Sequence, residues 1–182
     1  RARGGPPAPA RLVLDIDPAR AEGLAERAGR RLGFPVTAAG DLAVALSERD
    51  VCVTCTPSRE ALVAAADVRP GTFIAAVGAD SHGKQELDPK LVATATLVVD
   101  VLEQCAEIGE LQHALAAGLI TRDEVHAELA DVVVGRRAGR TRADEITIFD
   151  SSGTALQDVA AAVARYDKAR GAGRGTEVRL DD

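Results

Sequence analysis

Methionine and tryptophan are absent from the 182 residues, and the aromatic side chains are limited to Phe34, Phe73, Phe149 and Tyr166. That poverty excludes a nucleic-acid surface built on base stacking. It also leaves the core to Ala, Val, Leu and Ile, the residues of helices packed on a parallel sheet. No run approaches the ~20 apolar residues of a membrane helix. No basic start, apolar stretch and small-residue cleavage site mark a secretory leader, so a cytoplasmic home is expected. Acids outnumber bases, 28 Asp+Glu against 22 Lys+Arg for a net charge of −6, which argues against the basic face of a dedicated nucleic-acid binder. Lacking methionine and opening on Arg1, the chain reads as a piece of a longer protein.

Cysteine is also scarce. Cys52, Cys55 and Cys105 are an odd number without a secretion signal, so no disulfide framework is expected. Cys52 and Cys55 form a C-x-x-C, but within Val51-Cys52-Val53-Thr54-Cys55, which reads as a strand whose positions three apart face opposite ways. A redox pair normally opens a helix, and the buried, inert reading is preferred. His82, His113 and His126 have no metal-ligand spacing, and no second cysteine pair completes a zinc site.

What is present is an alternation of short apolar strands and helices. A length of 182 suits one domain, or one and a part, able to bury roughly 70% of the unfolded chain's surface. After a Pro/Gly-rich stretch over 1–10 come a strand at Arg11–Asp15 and a helix capped by Asp17-Pro18 and running to about Leu32. A strand is expected at Phe34–Ala38, a short helix at Asp41–Glu48, and a strand at Asp50–Cys55. A helix is expected to open at Thr56-Pro57. Strands follow at Thr72–Val77 and Thr96–Val99, with a short helix capped by Asp88-Pro89 between them. Beyond Asp100 the pattern is helical. Ile108, Leu111, Ala114 and Leu115 mark one helix. A Thr121/Glu124 capping box opens the next, with the stripe Val125, Leu129, Val132 and Val133. A last strand spans Glu145–Phe149, and a last helix begins near Ser152 or Gly153 with Leu156, Val159, Val163 and Tyr166 on one face. The tail from Gly171 reads as frayed. The pattern predicts an α/β fold, a doubly wound parallel sheet followed by C-terminal helices.

In such sheets ligands sit beyond the carboxyl ends of the strands. Asp15 ends the first strand, where an acid can accept hydrogen bonds from an adenosine ribose and repel a 2′-phosphate; the other reading is that it only helps cap the helix, a task Asp17 fits better. The G-x-G-x-x-G loop that would hold a pyrophosphate is missing, and Gly4-Gly5-Pro6-Pro7 does not replace it. Gly78 to Lys84 imitates a phosphate loop, but Gln85 stands where a Mg²⁺-holding Ser or Thr is required. What remains is Asp80 as a general acid/base at a strand's end, against the plainer reading of a polar turn with a Lys84–Glu86 surface pair. Ser151 and Ser152 can cap the last helix. Arg136, Arg137, Arg140 and Arg142 read as a solvated turn or a contact to an absent domain.

Gly78-Ala79-Asp80 with Gly83-Lys84-Gln85-Glu86-Leu87 resembles the signature of the ornithine cyclodeaminase/mu-crystallin family. The resemblance continues through Val98-Val99-Asp100-Val101-Leu102-Glu103-Gln104-Cys105, Gly109-Glu110-Leu111, Gly139-Arg140-Thr141, Glu145 to Gly153 and Ala155-Leu156-Gln157-Asp158, spanning roughly Leu12 to Ala169. It implies NAD(P)-dependent homodimers with a Rossmann domain, acting at the α-carbon of amino acids or imines. A second domain carries much of the substrate site and the dimer interface. By motif match Asp80 corresponds to the acid/base serving the substrate amine, and Ser152 faces the substrate. Thr54, Val77, Gly78, Ala79, Lys84 and Ser151 match cofactor-lining positions, Ser151 near the nicotinamide, and Asp15 matches the ribose acid. NAD is the expected cofactor, with NADP the alternative; neither nucleic acid nor membrane is an expected partner.

The family's N-terminal half has no counterpart here. With it go a carboxylate-gripping arginine, a substrate-site lysine, the first Rossmann strand and the Gly-rich loop. The implied organisation is a linker end at 1–10, a partial NAD(P)-binding domain at 11–150, a helix at 151–170 packing toward the missing domain, and a tail at 171–182. The leading expectation is an ornithine cyclodeaminase-like reaction: oxidation to an imine, cyclisation with loss of ammonia, and re-reduction. The rival within the family is a single hydride transfer, as in an imine (ketimine) reductase or amino-acid dehydrogenase. Outside enzymes, the alternatives are a mu-crystallin-like protein that binds cofactor and ligand without turnover, or an inactive fragment.

Overall fold

The structure, a computed structural model, describes residues 11–176 and Val178. The expected linker at 1–10 and the end of the expected tail lie outside the described residues. The elements in order are β1 (Arg11–Val13), α1 (Pro18–Leu32), β2 (Val36–Ala38), α2 (Leu42–Ser47), β3 (Val51–Thr54), β4 (Arg59–Val63), β5 (Phe73–Ala76), β6 (Gln85–Leu87), α3 (Pro89–Thr94), β7 (Thr96–Val99), α4 (Leu102–Ile108), α5 (Leu111–Ala116), β8 (Ala127–Glu128), α6 (Leu129–Val133), β9 (Thr147–Asp150) and α7 (Ala155–Gly171).

Every strand pairing is parallel, and the strands form three sheets: β1-β2, β3-β5-β9-β7-β8 and β4-β6. The five-stranded sheet is the frame of the molecule. On one face of its inner strands Ile74, Ala76, Leu97, Val99 and Ile148 are buried; on the other Val98 is buried and Phe73, Ala75 and Phe149 are half-buried, as a sheet covered by crossovers requires. Leu87, Leu91, Val92, Cys105, Leu111 and Ala114 complete the core from β6, α3, α4 and α5. The outer strand β3 differs. Its Val51 and Val53 are each 61% exposed, while Thr54 is buried. A cleft of about 580 Å³ runs beside it, lined on one side by Arg11, Leu12 and Leu14 and on the other by Val51 to Thr56.

Local signals fix several boundaries. Asp17 Oδ1 accepts from Ala19 N at 3.0 Å to start α1, and Gly33, at φ +74, ends it with its N–H on Gly29 O. Asp41 and Asp88 cap α2 and α3 in the same way.

Four expectations are corrected. No helix opens at Thr56-Pro57; the chain extends into β4, because Arg59–Val63 pairs with β6. The helix marked by Ile108 to Leu115 is two, α4 and α5, separated at Gly109 and Glu110. The Thr121/Glu124 capping box is formed, with Thr121 N donating to Glu124 Oε2 at 2.8 Å, but it opens only a 3-10 turn at Arg122–Glu124. The stripe that follows is interrupted by β8, with Val125 before it and Leu129, Val132 and Val133 in α6, since His126 N bonds to Leu97 O and draws Ala127–Glu128 alongside β7. Finally, Ser151 and Ser152 do not cap α7. The helix starts at Ala155 after Thr154, which makes no side-chain cap, and both serine hydroxyls are held elsewhere.

The arginine turn is tied within the chain: Arg136 pairs with Asp131, Arg142 with Asp144, and Arg140 donates to Gly71 O at 2.6 Å. Helix α7 buries no residue, and its Leu156, Val159, Val163 and Tyr166 are all exposed. Among the described residues no helix is long and apolar enough to cross a membrane.

Candidate active site

Four adjacent strands end together. Thr54, Ala76, Asp150 and Val99 are register partners across β3, β5, β9 and β7. The next residues carry the ladder one step further, with Val77 N on Thr54 O at 2.9 Å, Ser151 N on Ala76 O at 2.9 Å and Asp100 N on Asp150 O at 3.1 Å. One carboxyl rim therefore gathers Thr54, Val77, Gly78, Ala79, Asp100, Ser151 and Ser152. The Thr54 hydroxyl is buried and has no hydrogen-bond partner, an uncommon state for a buried polar atom.

Asp100 organises the loop after β9. It accepts from Ser152 Oγ at 3.0 Å, Ser151 Oγ at 3.2 Å, Gly153 N at 2.8 Å, Val101 N at 2.8 Å and Cys105 Sγ at 3.1 Å. Burial pushes its carboxyl upward, but the bonds from Cys105, Val101, Gly153 and Ser152 outweigh it and leave the group below its ordinary value. Because both serines donate to Asp100, their oxygens can only accept further bonds, and that of Ser152 already lies 3.6 Å from Cys105 Sγ. Cys105 is the opposite case. Burial, then the nearby Asp150 and Asp100 charges, push its thiol up to about 12, so it stays a protonated donor.

The loop after β5 carries Asp80. Its side chain is 54% exposed and ion-paired with Lys84 Nζ at 2.6 Å; the same ammonium donates to Gly78 O at 3.2 Å. Asp80 is thus oriented but half open, not enclosed by the described residues. The alternative of a Lys84–Glu86 surface pair is corrected: Glu86 is fully buried. Glu86 Oε1 accepts from Thr56 N at 2.5 Å and Oε2 from Gly78 N at 3.0 Å. A Cβ on Gly78 would lie 2.5 Å from either Glu86 oxygen, so only glycine allows this approach.

Two further carboxylates lie behind it. Glu110 accepts from Glu86 N at 2.8 Å and Leu87 N at 3.0 Å, and Asp150 accepts from Glu110 N at 3.0 Å and Leu111 N at 2.9 Å. Burial pushes Glu110 up to about 8 and Asp150 up to about 6, against the downward pull of those N–H bonds. Asp15 is not in a strand of the rim's sheet; β1 ends at Val13, short of the expected Asp15, and Asp15 lies in the loop between β1 and α1. It is exposed, accepts from Asp17 N at 2.9 Å, and shares a shallow depression with Arg20 and Arg27.

The model of one family, the ornithine cyclodeaminase/mu-crystallin family, matches residues 11–173, nearly the whole chain. The chain belongs to this family. It is 40% identical over 175 residues to an alanine dehydrogenase of Archaeoglobus fulgidus, covering 93% of this chain and 54% of that protein. It is 48% identical over 134 residues to an iminosuccinate reductase of Paracoccus denitrificans, covering 74% and 41%. The solved structure of a Thermococcus litoralis Δ1-pyrroline-2-carboxylate reductase in complex with NADH and L-proline superposes with a TM-score of 0.88 at 36% identity, covering 92% of this chain and 52% of that one. The chain thus spans about half the length of the relatives it matches.

Of the family positions expected from the motifs, Thr54, Val77, Gly78, Ala79, Ser151 and Ser152 share the rim, Asp80 and Lys84 form an ion pair on the loop above it, and Asp15 lies in the loop after β1, a strand of another sheet. Sequence reasoning assigned no role to Asp100, Glu110 or Asp150, and gave Glu86 only that of a surface partner for Lys84. Asp100 carried a usable signal, an acid ending a strand of a parallel sheet. The other three carried none locally, because all their partners but Gly78, 8 residues from Glu86, lie 23 to 40 residues away along the chain. The two cysteines of the C-x-x-C are free, Cys52 half-buried and Cys55 exposed.

Proposed function

We propose that this chain is the cofactor-binding half of an NAD-dependent enzyme that exchanges hydride with the α-carbon of an amino acid or its imine. The observation that carries the reading is the shared rim: an unpartnered buried Thr54 hydroxyl, the glycine loop at 77–79, and two serines held by Asp100, all on adjacent strand ends. Such a rim suits a nicotinamide-bearing group, with Thr54, Val77, Gly78, Ala79, Lys84 and Ser151 as its lining and Asp15 as the ribose contact, a carboxylate that would disfavour a 2′-phosphate. The bound cofactor supplies the hydride acceptor or donor. Asp80 takes the proton from the substrate amine as the imine forms and returns it in the reverse step. Lys84 aims Asp80 by bonding both Asp80 Oδ1 and Gly78 O. Ser152 offers its oxygen as an acceptor to the substrate, since its proton is committed to Asp100.

The cleft between β1 and β3 and the exposed apolar faces of β3 and α7 mark where the other half of a family-length protein would pack, and that half would enclose Asp80. A homodimer in the cytoplasm is the proposed working form. Two readings of the chemistry follow from the relatives. A single hydride transfer matches the dehydrogenase and reductase relatives; cyclodeamination matches the lysine cyclodeaminase structure, 31% identical with a TM-score of 0.82.

The test incubates the family-length protein with NAD⁺ and a panel of amino acids, following NADH and ammonia. NADH formed in proportion to substrate supports single transfer; ammonia released without net NADH supports cyclodeamination. Cofactor and ligand binding with neither product would refute an enzymatic role.

A further inference from the structure

The buried carboxylates of Asp150, Glu110 and Glu86 form a series in which each acid holds the backbone that bears the next. Asp150, on the last residue of β9, receives the N–H groups of Glu110 and Leu111. The Glu110 side chain receives the N–H groups of Glu86 and Leu87. The Glu86 side chain then receives Thr56 N and Gly78 N, one on each oxygen, from the loops that leave β3 and β5. All three residues are at most 1% exposed, and among the described residues none is ion-paired with a basic side chain. Glycines make room for the series at both ends, Gly78 against Glu86 and Gly109 against Asp150, where an added Cβ would meet carboxylate oxygens within 2.8 Å.

Burying three acids without a cation is a poor way to gain stability, since apolar residues of similar volume would fill the space at lower cost. What the arrangement provides is position. A carboxyl group with both oxygens engaged, ionised or holding a proton as Glu110 does, fixes two N–H groups at once, which no apolar side chain can do. We infer that Glu86 is a positioning residue, the outer link of a three-carboxylate relay that registers the loops after β3 and β5 against the serine loop after β9. The rim that is proposed to hold the cofactor is thereby set from β6 and the junction of α4 and α5. This rests on the cofactor reading for its purpose, but not for its geometry.

The test is amide hydrogen exchange, residue by residue, on the 182-residue chain and on Glu86→Gln and Glu110→Gln. Glutamine keeps the shape but offers one acceptor oxygen where two are used. In Glu86→Gln, exchange at Thr56 or Gly78 should quicken roughly tenfold or more, while Leu91 and Val92 in α3 keep their rates. In Glu110→Gln the loosening should appear at Glu86 and Leu87 and also reach Thr56 and Gly78, two bonds removed. Confinement to Glu86 and Leu87 would overturn the relay, as would unchanged rates at Thr56 and Gly78 in Glu86→Gln. Should a variant unfold, Leu91 and Val92 lose protection as well, and Glu86→Asp, which keeps both oxygens but shortens the reach, replaces it with the same expectation at Thr56 and Gly78. NADH titration of the family-length protein is the separate arm: the relay predicts weakened binding in Glu86→Gln. Absence of NADH binding in the unaltered protein would end the cofactor reading and leave the exchange result to decide the relay.

Discussion

Glu110 gives the chain a pH dependence of stability with a defined sign. Its carboxyl, buried against Glu86 and Asp150, is held at about 8 in the folded protein, against an ordinary 4.5 that it regains on unfolding. Between those values the folded state keeps a proton that the unfolded state releases. Stability is therefore fully present below about pH 4.5 and is lost as pH rises toward 8. The slope is about 1.4 kcal/mol per pH unit, and the whole effect is on the order of 4 kcal/mol by pH 9. That is a large share of the roughly 5–15 kcal/mol of a typical domain. Asp150, raised to about 6, adds loss of the same sign over the lower part of the range. Urea unfolding followed by circular dichroism at pH 5, 6, 7, 8 and 9 measures the slope, and Glu110→Gln tests it, because groups remote from Glu110 cancel in the difference and only Asp150 and Glu86, whose charges act on it, contribute besides. The wild-type free energy should fall faster than that of the variant by on the order of 4 kcal/mol over the series. Parallel curves, or a wild type that gains stability from pH 5 to 8, would refute the assignment of a buried, proton-holding Glu110.

Gly109→Ala should destabilise by about 3 kcal/mol or more, because its Cβ would come within 2.8 Å of both Asp150 oxygens and 2.9 Å of Cys105 Cα, so that the carboxylate must leave its N–H donors; denaturant midpoints measure it. Iodoacetamide at pH 8 should modify exposed Cys55 while Cys105, with its thiol at about 12, stays intact in the folded chain, which peptide mass mapping distinguishes. Asp17→Ala removes the cap on Ala19 N and should cost about 1 kcal/mol, readable from the same unfolding curves, with the rim amides unaffected.

The parallel frame was legible because apolar strands such as Thr96-Leu97-Val98-Val99 alternate with capped helices, and the rule that ligands lie at strand carboxyl ends picked out the loop of Gly78 and Asp80, while Thr54 and Ser151 came from the family resemblance. β4 was not legible. Arg59-Glu60-Ala61-Leu62-Val63 has no alternation, and its strand character comes from pairing with Gln85–Leu87, more than 20 residues on. The serines were misread for a related reason: a hydroxyl before a helix looks like a cap, and only the fold brings Asp100 within 3.0 Å of Ser152. Glu86 and Glu110 were hidden most deeply. A glutamate in a Gly-Lys-Gln-Glu-Leu run reads as surface charge, and its burial is tolerable only because backbone donors from distant loops converge on it.

The most direct test of the account is Asp80→Asn in the family-length protein, with turnover and NADH affinity measured together. The variant should lose roughly a hundredfold or more of its turnover while its NADH affinity stays within about twofold, as removal of a proton carrier that does not hold the cofactor requires. Turnover that survives the change would contradict the placement of acid–base chemistry at this rim.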